Sequence, residues 1–265
     1  MSPRSFREPP KFTRVLAARV RRHEGVLVRI LTHYGREIIC TPEHVIPVYR
    51  NGRLTFIRAI DVTRRDRLLV DYRYEIPQGN EVPLVSASVA ELLGFALSEG
   101  SHVTHYAKKW RGKWYTYPAV SIACTDPRIR EHVKRLAREG GFWVYYRRKR
   151  PKDVRIGLCK ALTTLGAGER LPRSYEKEIP PRLFWLPKSH LLSFLRALYS
   201  GDGCVKTERG GRGVVVDYAT TSYVMAQQLY WLLRYVGFKY IRVERERTAH
   251  RPIYRLQLSL SLIHI

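Results

Sequence analysis

Two apolar stretches that each close on a carboxylate set the pattern of this chain. Leu92-Leu93-Gly94-Phe95-Ala96-Leu97-Ser98-Glu99-Gly100 and Leu195-Arg196-Ala197-Leu198-Tyr199-Ser200-Gly201-Asp202-Gly203 lie 103 residues apart, and each ends in an acid followed by glycine. Their third and seventh positions are small in both copies, Gly94 with Ser98 and Ala197 with Gly201, a spacing of four that clears one stripe of a helix. Side chains at the contact set how near two helices approach, so this pair is expected to pack with its backbones close. Glu99 and Asp202 then end side by side where the macrodipole disfavours a carboxylate, and two converging acids point to divalent-cation chemistry.

The periodicity after each stretch repeats as well. Thr125-Asp126 opens a helical pattern that stops at Gly141-Phe142, and Thr221-Ser222 opens another that stops at Gly237-Phe238. Asp126 and Ser222 suit N-caps, and the two glycines suit C-terminal stops. Strand-like runs flank each helix: residues 115–123 and 143–148 in the first half, 214–219 and 240–244 in the second, with last strands at 154–159 and 253–259. Each half therefore reads αββαββ, an α+β chain with one four-stranded sheet per half.

Taken together, the two motifs and the repeated elements resemble the LAGLIDADG (dodecapeptide) homing endonucleases in their two-motif, single-chain form, over roughly residues 86 to 259. The resemblance implies two pseudo-symmetric halves forming a DNA-binding saddle. It also implies site-specific double-strand cleavage of DNA by metal-dependent phosphodiester hydrolysis, in a protein encoded by a mobile intein or intron. Mg²⁺ or Mn²⁺ would be held by Glu99 and Asp202, each acid serving mainly one strand, with the main-chain carbonyls of Ser98 and Gly201 as supplementary ligands. A basic residue is expected near each phosphate: Lys206 in one half, Lys108 or Lys109 in the other. Two other readings stay open, an RNA-binding maturase on the same scaffold and a fragment of a self-splicing intein.

Charge narrows the partner. Lys and Arg number 48 against 23 Asp and Glu, a formal net charge of +25. Such a surplus supplies the sequence-independent phosphate term of nucleic-acid binding, whereas a merely heat-resistant surface carries both signs in networks. Double-stranded DNA is the expected partner. The run from Trp110 to Tyr117 reads as a hairpin with Gly112 at its turn, and the run from Trp143 ends in Arg147-Arg148-Lys149-Arg150. Lys113, Tyr115, those four cations and Arg212 are the expected DNA contacts, by the resemblance through strands lying in the major groove; a solvated strand end is the plainer alternative. Cys40, Cys124, Cys159 and Cys204 lack metal-ligand spacing and read as free thiols in a reducing compartment, and His102 and His105 read as polar strand residues. No apolar run approaches the ~20 residues of a membrane span and no secretion signal stands out, so a cytoplasmic monomer is expected.

Residues 1–73 differ in character. Short β-rich runs at 25–32, 37–41, 44–49 and 54–59 are separated by turn residues, among them Asn51-Gly52, a strong hairpin signal. This region resembles part of a Hint domain, the protein-splicing fold of inteins: Thr41-Pro42-Glu43-His44 matches its TxxH motif, while Arg65-Asp66 stands where Gly-Asp is usual. The nucleophilic Cys or Ser expected to precede that motif is absent, so Thr41 and His44 read as a splicing relic rather than a working site. The expected organisation is a Hint-like β region (1–73), a linker (74–88), two LAGLIDADG halves (89–165 and 188–259) and a connector (166–187) whose prolines forbid a continuous helix. Lys177-Glu178-Ile179-Pro180 in that connector resembles the segment before the second motif of the family. Residues 260–265 match one translated frame of a sequencing-library transposon end and are expected to be adapter-derived, the natural gene continuing from about Ser259.

Overall fold

The computed structural model describes residues 15–33, 35–69, 85–147, 150–167, 170–207, 213–238 and 240–259. They fall into two units, Met1–Glu75 and Ile76–Ile265, each with a core of its own. The linker expected at 74–88 and the tail at 260–265 lie largely or wholly outside the described residues.

The first unit is β-rich. Strands β1 (Val28–Leu31) and β2 (Glu37–Cys40) form one antiparallel pair, and β3 (Val45–Arg50) sits between β4 (Arg53–Arg58) and β5 (Arg67–Leu68) in a second sheet. Asn51 and Gly52 both take positive φ, 50° and 77°, so the β3–β4 hairpin turns with the twist that favours this dipeptide. Its core is small: Ile46, Val48 and Ala59, with Ile57, Val62 and Leu68 packed against them. Asp66 compensates with a buried polar hub. Its carboxylate accepts from Arg50 Nε at 2.6 Å and Nη2 at 2.7 Å, and from the Thr63 amide at 2.7 Å. These bonds, those of Arg50 first, hold the Asp66 carboxyl well below the ordinary carboxylate range. The backbone of His44 donates to Thr41 at 3.1 Å and His44 accepts from Ala59 at 2.8 Å, so the TxxH segment forms the turn that feeds β3.

The second unit is built twice from one plan. In the first half α1 (Ala87–Glu99) is followed by β6 (Gly100–Trp110), β7 (Lys113–Ala123), α2 (Pro127–Glu139), β8 (Val144–Arg147) and β9 (Arg150–Ile156). After the short helix α3 (Cys159–Thr164) and a connector with two 3₁₀ turns, the second half runs α4 (Lys188–Asp202), β10 (Gly203–Thr207), β11 (Val214–Thr220), α5 (Tyr223–Val236), β12 (Ile241–Glu246) and β13 (Ile253–Ser259). The sheets have the same order, β6-β7-β9-β8 and β10-β11-β13-β12, antiparallel throughout. One difference from the sequence reading concerns residues 157–159. The expected strand stops at Ile156 because Gly157 lies under Trp143, where a Cβ would stand 2.2 Å from the indole Nε1, and Cys159 already belongs to α3.

Local chemistry sets the helix ends. Ser86, Asp126 and Ser222 each accept from an amide of the first turn, at 3.3, 2.7 and 3.1 Å, the role for which short oxygen side chains are preferred. Gly141 and Gly237 sit in the left-handed region, at φ 72° and 117°, where a side chain would be strained. Helix α1 is buried on nearly every side, with Leu92, Leu93, Ala96 and Leu97 at most 2% exposed, as a helix at the centre of a core must be. The exception to its apolar character is Glu91, 5% exposed, whose carboxylate accepts from His132 Nε2 of α2 at 2.7 Å and from Arg196 Nη2 of α4 at 2.6 Å. On its other side the His132 ring meets Arg135, with Nδ1 2.8 Å from Nη2. Among the described residues no helix is long and apolar enough to cross a membrane.

Candidate active site

The sheets hold α1 and α4 together from outside, and the small residues decide how close they come. A Cβ added at Gly94 would stand 2.3 Å from the Phe194 carbonyl oxygen and 2.8 Å from the Ala197 Cβ. One added at Gly201 would stand 2.2 Å from Ser98 Oγ and 3.1 Å from Glu99 Cγ. The Ser98 hydroxyl, which donates to the Gly94 carbonyl at 3.1 Å, packs directly against Gly201, so only a glycine fits there. The two acids therefore leave their helices side by side, both accessible to solvent.

A lysine from far along the chain completes the pair. Lys177, 9% exposed, donates through Nζ to the carbonyls of Leu97 at 2.6 Å and Ser98 at 3.0 Å, the last turn of α1. Those carbonyls carry the negative end of the helix dipole, so the ammonium is well placed there. Burial pushes the Lys177 ammonium pKa down, and Asp202 and Glu99 pull it partly back. The connector is seated for this purpose: the Ser222 hydroxyl donates to the Lys177 carbonyl at 2.6 Å, and the Gln228 amide bonds both main-chain groups of Ile179, at 2.6 and 3.2 Å.

The two carboxylates are not equally surrounded. Desolvation raises the Asp202 carboxyl above its ordinary range; Lys177 opposes this and Glu99 adds to it. Tyr218 is buried on β11, and its ring lies 5.3 Å from that of Tyr199.

The donor set suits a hard cation. Two carboxylates with adjacent main-chain carbonyls offer only oxygen, and Mg²⁺ ordinarily takes one or two carboxylates and fills its remaining positions with water and phosphate. The Ser98 carbonyl, expected as a supplementary ligand, spends one lone pair on Lys177; Gly201 packs directly against Ser98 and Glu99. Among the described residues no third His, Cys, Asp or Glu joins the pair.

Other expected residues are more dispersed. Lys206, on β10, puts Nζ 2.9 Å from Asp217, a carboxylate only 2% exposed that also faces Arg255 at 3.3 Å. Lys113 begins β7 at the hairpin tip, where Arg111 and Gly112 take positive φ. Lys108, Lys109 and Tyr115 lie in β6 and β7, and Arg147 and Arg150 in β8 and β9, but their side chains lie outside the described residues, as do Arg148, Lys149 and Arg212 altogether. Sequence reasoning missed the role of Lys177, although the segment around it was a visible signal.

The family model for a LAGLIDADG-like domain matches residues 189–262. The chain is 28% identical over 220 residues to the replicative DNA helicase DnaB of Rhodothermus marinus, covering 79% of this chain and 22% of the relative. It is 25% identical over 238 residues to the replication factor C small subunit of Thermococcus kodakarensis, covering 88% and 24%. It thus spans about a quarter of the length of these curated relatives. Among solved structures it is similar to mesophilic variants of the homing endonuclease I-DmoI, at 13% identity and a TM-score of 0.42, covering 66% of this chain and 89% of that one. The matched segment takes in the second acid, nearly all of the helix that bears it, and its sheet.

Proposed function

We propose that the chain is a site-specific DNA endonuclease of the homing type, which hydrolyses one phosphodiester on each strand at a single metal-dependent centre. The observation that carries this reading is the convergence of Glu99 and Asp202 at the ends of two closely packed helices, with Lys177 buried beside both. Glu99 and Asp202 would hold Mg²⁺ or Mn²⁺, which when bound stabilises the attacking and leaving oxygens of an in-line displacement. Lys177 offsets the charge of the acids and fixes the end of α1. Its lowered pKa brings it nearer the range in which an amine exchanges a proton at working pH. Both acids belong to one chain, so a monomer suffices.

The surplus of 25 positive charges supports a polyanionic substrate. A stretch shared by a helicase and a replication-factor subunit, spanning about a quarter of each, fits a mobile insertion carried in different host genes. On that reading the first unit is a partial Hint region, with Thr41 and His44 as remnants of splicing chemistry.

The test is binding and cleavage of double-stranded DNA selected from a random library. Affinity should fall roughly tenfold or more between 50 and 200 mM salt, as expected when even a few phosphates are neutralised. Selected DNA should be cut only with Mg²⁺ or Mn²⁺ present. Tight binding with no cleavage under any divalent metal would make the chain a binding protein on an endonuclease scaffold.

A further inference from the structure

We propose that Arg255 reads a guanine in the half of the target that faces the second sheet, and that Asp217 is the positioning residue that holds it there. The inference deepens the endonuclease reading and takes from it only the partner, double-stranded DNA. Tyr218, Leu256 and Leu258 turn into the core, so their neighbours Asp217, Arg255 and Gln257 stand on the opposite face of that sheet. Lys206 and Glu246 share this face, each two residues along from a residue, Cys204 or Glu244, that pairs with Asp217 or Arg255. There one oxygen of Asp217, Oδ2, accepts from Lys206 Nζ at 2.9 Å and from Arg255 Nη1 at 3.3 Å, while Arg255 Nε donates to Glu246 at 2.9 Å. The guanidinium is gripped at two corners, and its Nη2 is left without a bond among the described residues.

Neither packing nor attraction for phosphate accounts for this cluster. Asp217 is 2% exposed, and its second oxygen, Oδ1, is buried without a hydrogen-bond partner among the described residues, an arrangement that costs stability. The other half shows that the fold manages without it. The pairs Val103 with Ala119, Ser101 with Ser121 and Ala123 with Asp153 put Val103, Ser121 and Asp153 at the places that Lys206, Asp217 and Arg255 hold in the second half, and none of the three is a cation. Two cations and two acids cancel, so in a chain of net charge +25 these four add nothing to the pull on phosphate. What a neutral, tied cluster supplies is direction. The free edge of an arginine fork donates to O6 and N7 of guanine in the major groove, where no other base presents two acceptors. The halves therefore read different bases at this step, and the target is asymmetric.

The experiment uses the full chain, without metal, on double-stranded DNA selected from a random library, so that only binding is read. The wild-type chain should select a guanine at one position that, replaced by another base, weakens binding roughly tenfold or more, the usual discrimination of a two-bond contact. Arg255→Met should make that position indifferent and keep the other preferences. It should also leave the slope of log affinity against log salt unchanged, whereas a lost phosphate contact lowers that slope by about 0.9. Asp217→Ser, which gives the second half the side chain found at the equivalent place in the first, should blur the same position and no other. A measurement on the wild-type chain stands even if neither variant folds: with each selected guanine replaced in turn by 7-deazaguanine, which lacks the N7 acceptor, affinity should fall severalfold for at least one. An unchanged preference in Arg255→Met, weakening that is uniform across sequences with a lowered salt slope, or a selected site with no guanine sensitive to loss of N7 would overturn the proposal. A chain that selects its guanine but never cuts would refute the endonuclease reading and leave this one standing; a chain that selects no sequence would overturn both.

Discussion

Gly94 on α1 lies so close to Phe194 on α4 that a single added methyl group would stand 2.3 Å from the Phe194 carbonyl oxygen. Backbone cannot swing aside as a side-chain tip can, so the helices must separate. Gly94→Ala should destabilise the second unit by about 1–3 kcal/mol, the usual range for overpacking. At roughly 2–4 °C per kcal/mol for a unit of this size, the melting temperature should fall by several degrees. Gly201→Ala meets Ser98 Oγ and Glu99 Cγ instead, so it should displace an acid and reduce cleavage more than stability. An unchanged melting curve for Gly94→Ala would show that the helices are not held at this distance.

Lys177→Met keeps the length of the side chain and removes its charge and donors. Cleavage should fall by a hundredfold or more while DNA affinity changes little, measured by single-turnover kinetics and by titration. Stability gives a second reading. Because burial lowers the folded-state pKa, between that value and the ordinary 10.5 the unfolded chain holds more protons than the folded one. Lys177 therefore contributes stability that rises with pH across that window. The rise should be present in the wild-type protein above neutral pH and missing from Lys177→Met.

Glu91 ties three helices through one carboxylate, and its partners differ in exposure, with side chains 28% exposed for His132 and 66% for Arg196. Losing a fully buried pair costs about 3–5 kcal/mol, and solvent at Arg196 reduces that, so Glu91→Ala should cost about 2–3 kcal/mol in calorimetry. Glu91→Gln, which retains an acceptor, should cost less. A loss below about 0.5 kcal/mol for Glu91→Ala, the level of an ordinary surface change, would contradict the role.

Asp66 makes the first unit sensitive to acid. Its pKa is depressed, so the stability it contributes is complete above the ordinary 3.8 and is lost as pH falls below that value toward the depressed one. Amide exchange at Ile46 and Val48 should accelerate over that range. Asp66→Asn should exchange faster at neutral pH and show little further change on acidification.

Much of this was legible in the sequence because local chemistry decides it. The Asn51-Gly52 turn, the caps Asp126 and Ser222, the stops Gly141 and Gly237, and the repeated acids need only their neighbours to be read. Lys177 was not, since it lies 25 residues before Asp202 yet grips the end of the helix that bears Glu99. Lys206 shows the converse. Nearness to Asp202 in sequence marked it as a phosphate contact, but the strand pairing brings Asp217 across to it.

The central claim is that Glu99 and Asp202 form one metal-dependent centre for cutting DNA, and mapping the ends produced in a random-sequence DNA library tests it most directly. With Mg²⁺ the wild-type chain should generate ends that share a single site. Those ends should vanish with a chelator, and Glu99→Gln and Asp202→Asn should each fail to make the double-strand break while still binding the selected DNA. Full double-strand cleavage by both acid variants, or selective binding by the wild-type chain with no metal-dependent ends at all, would contradict the account.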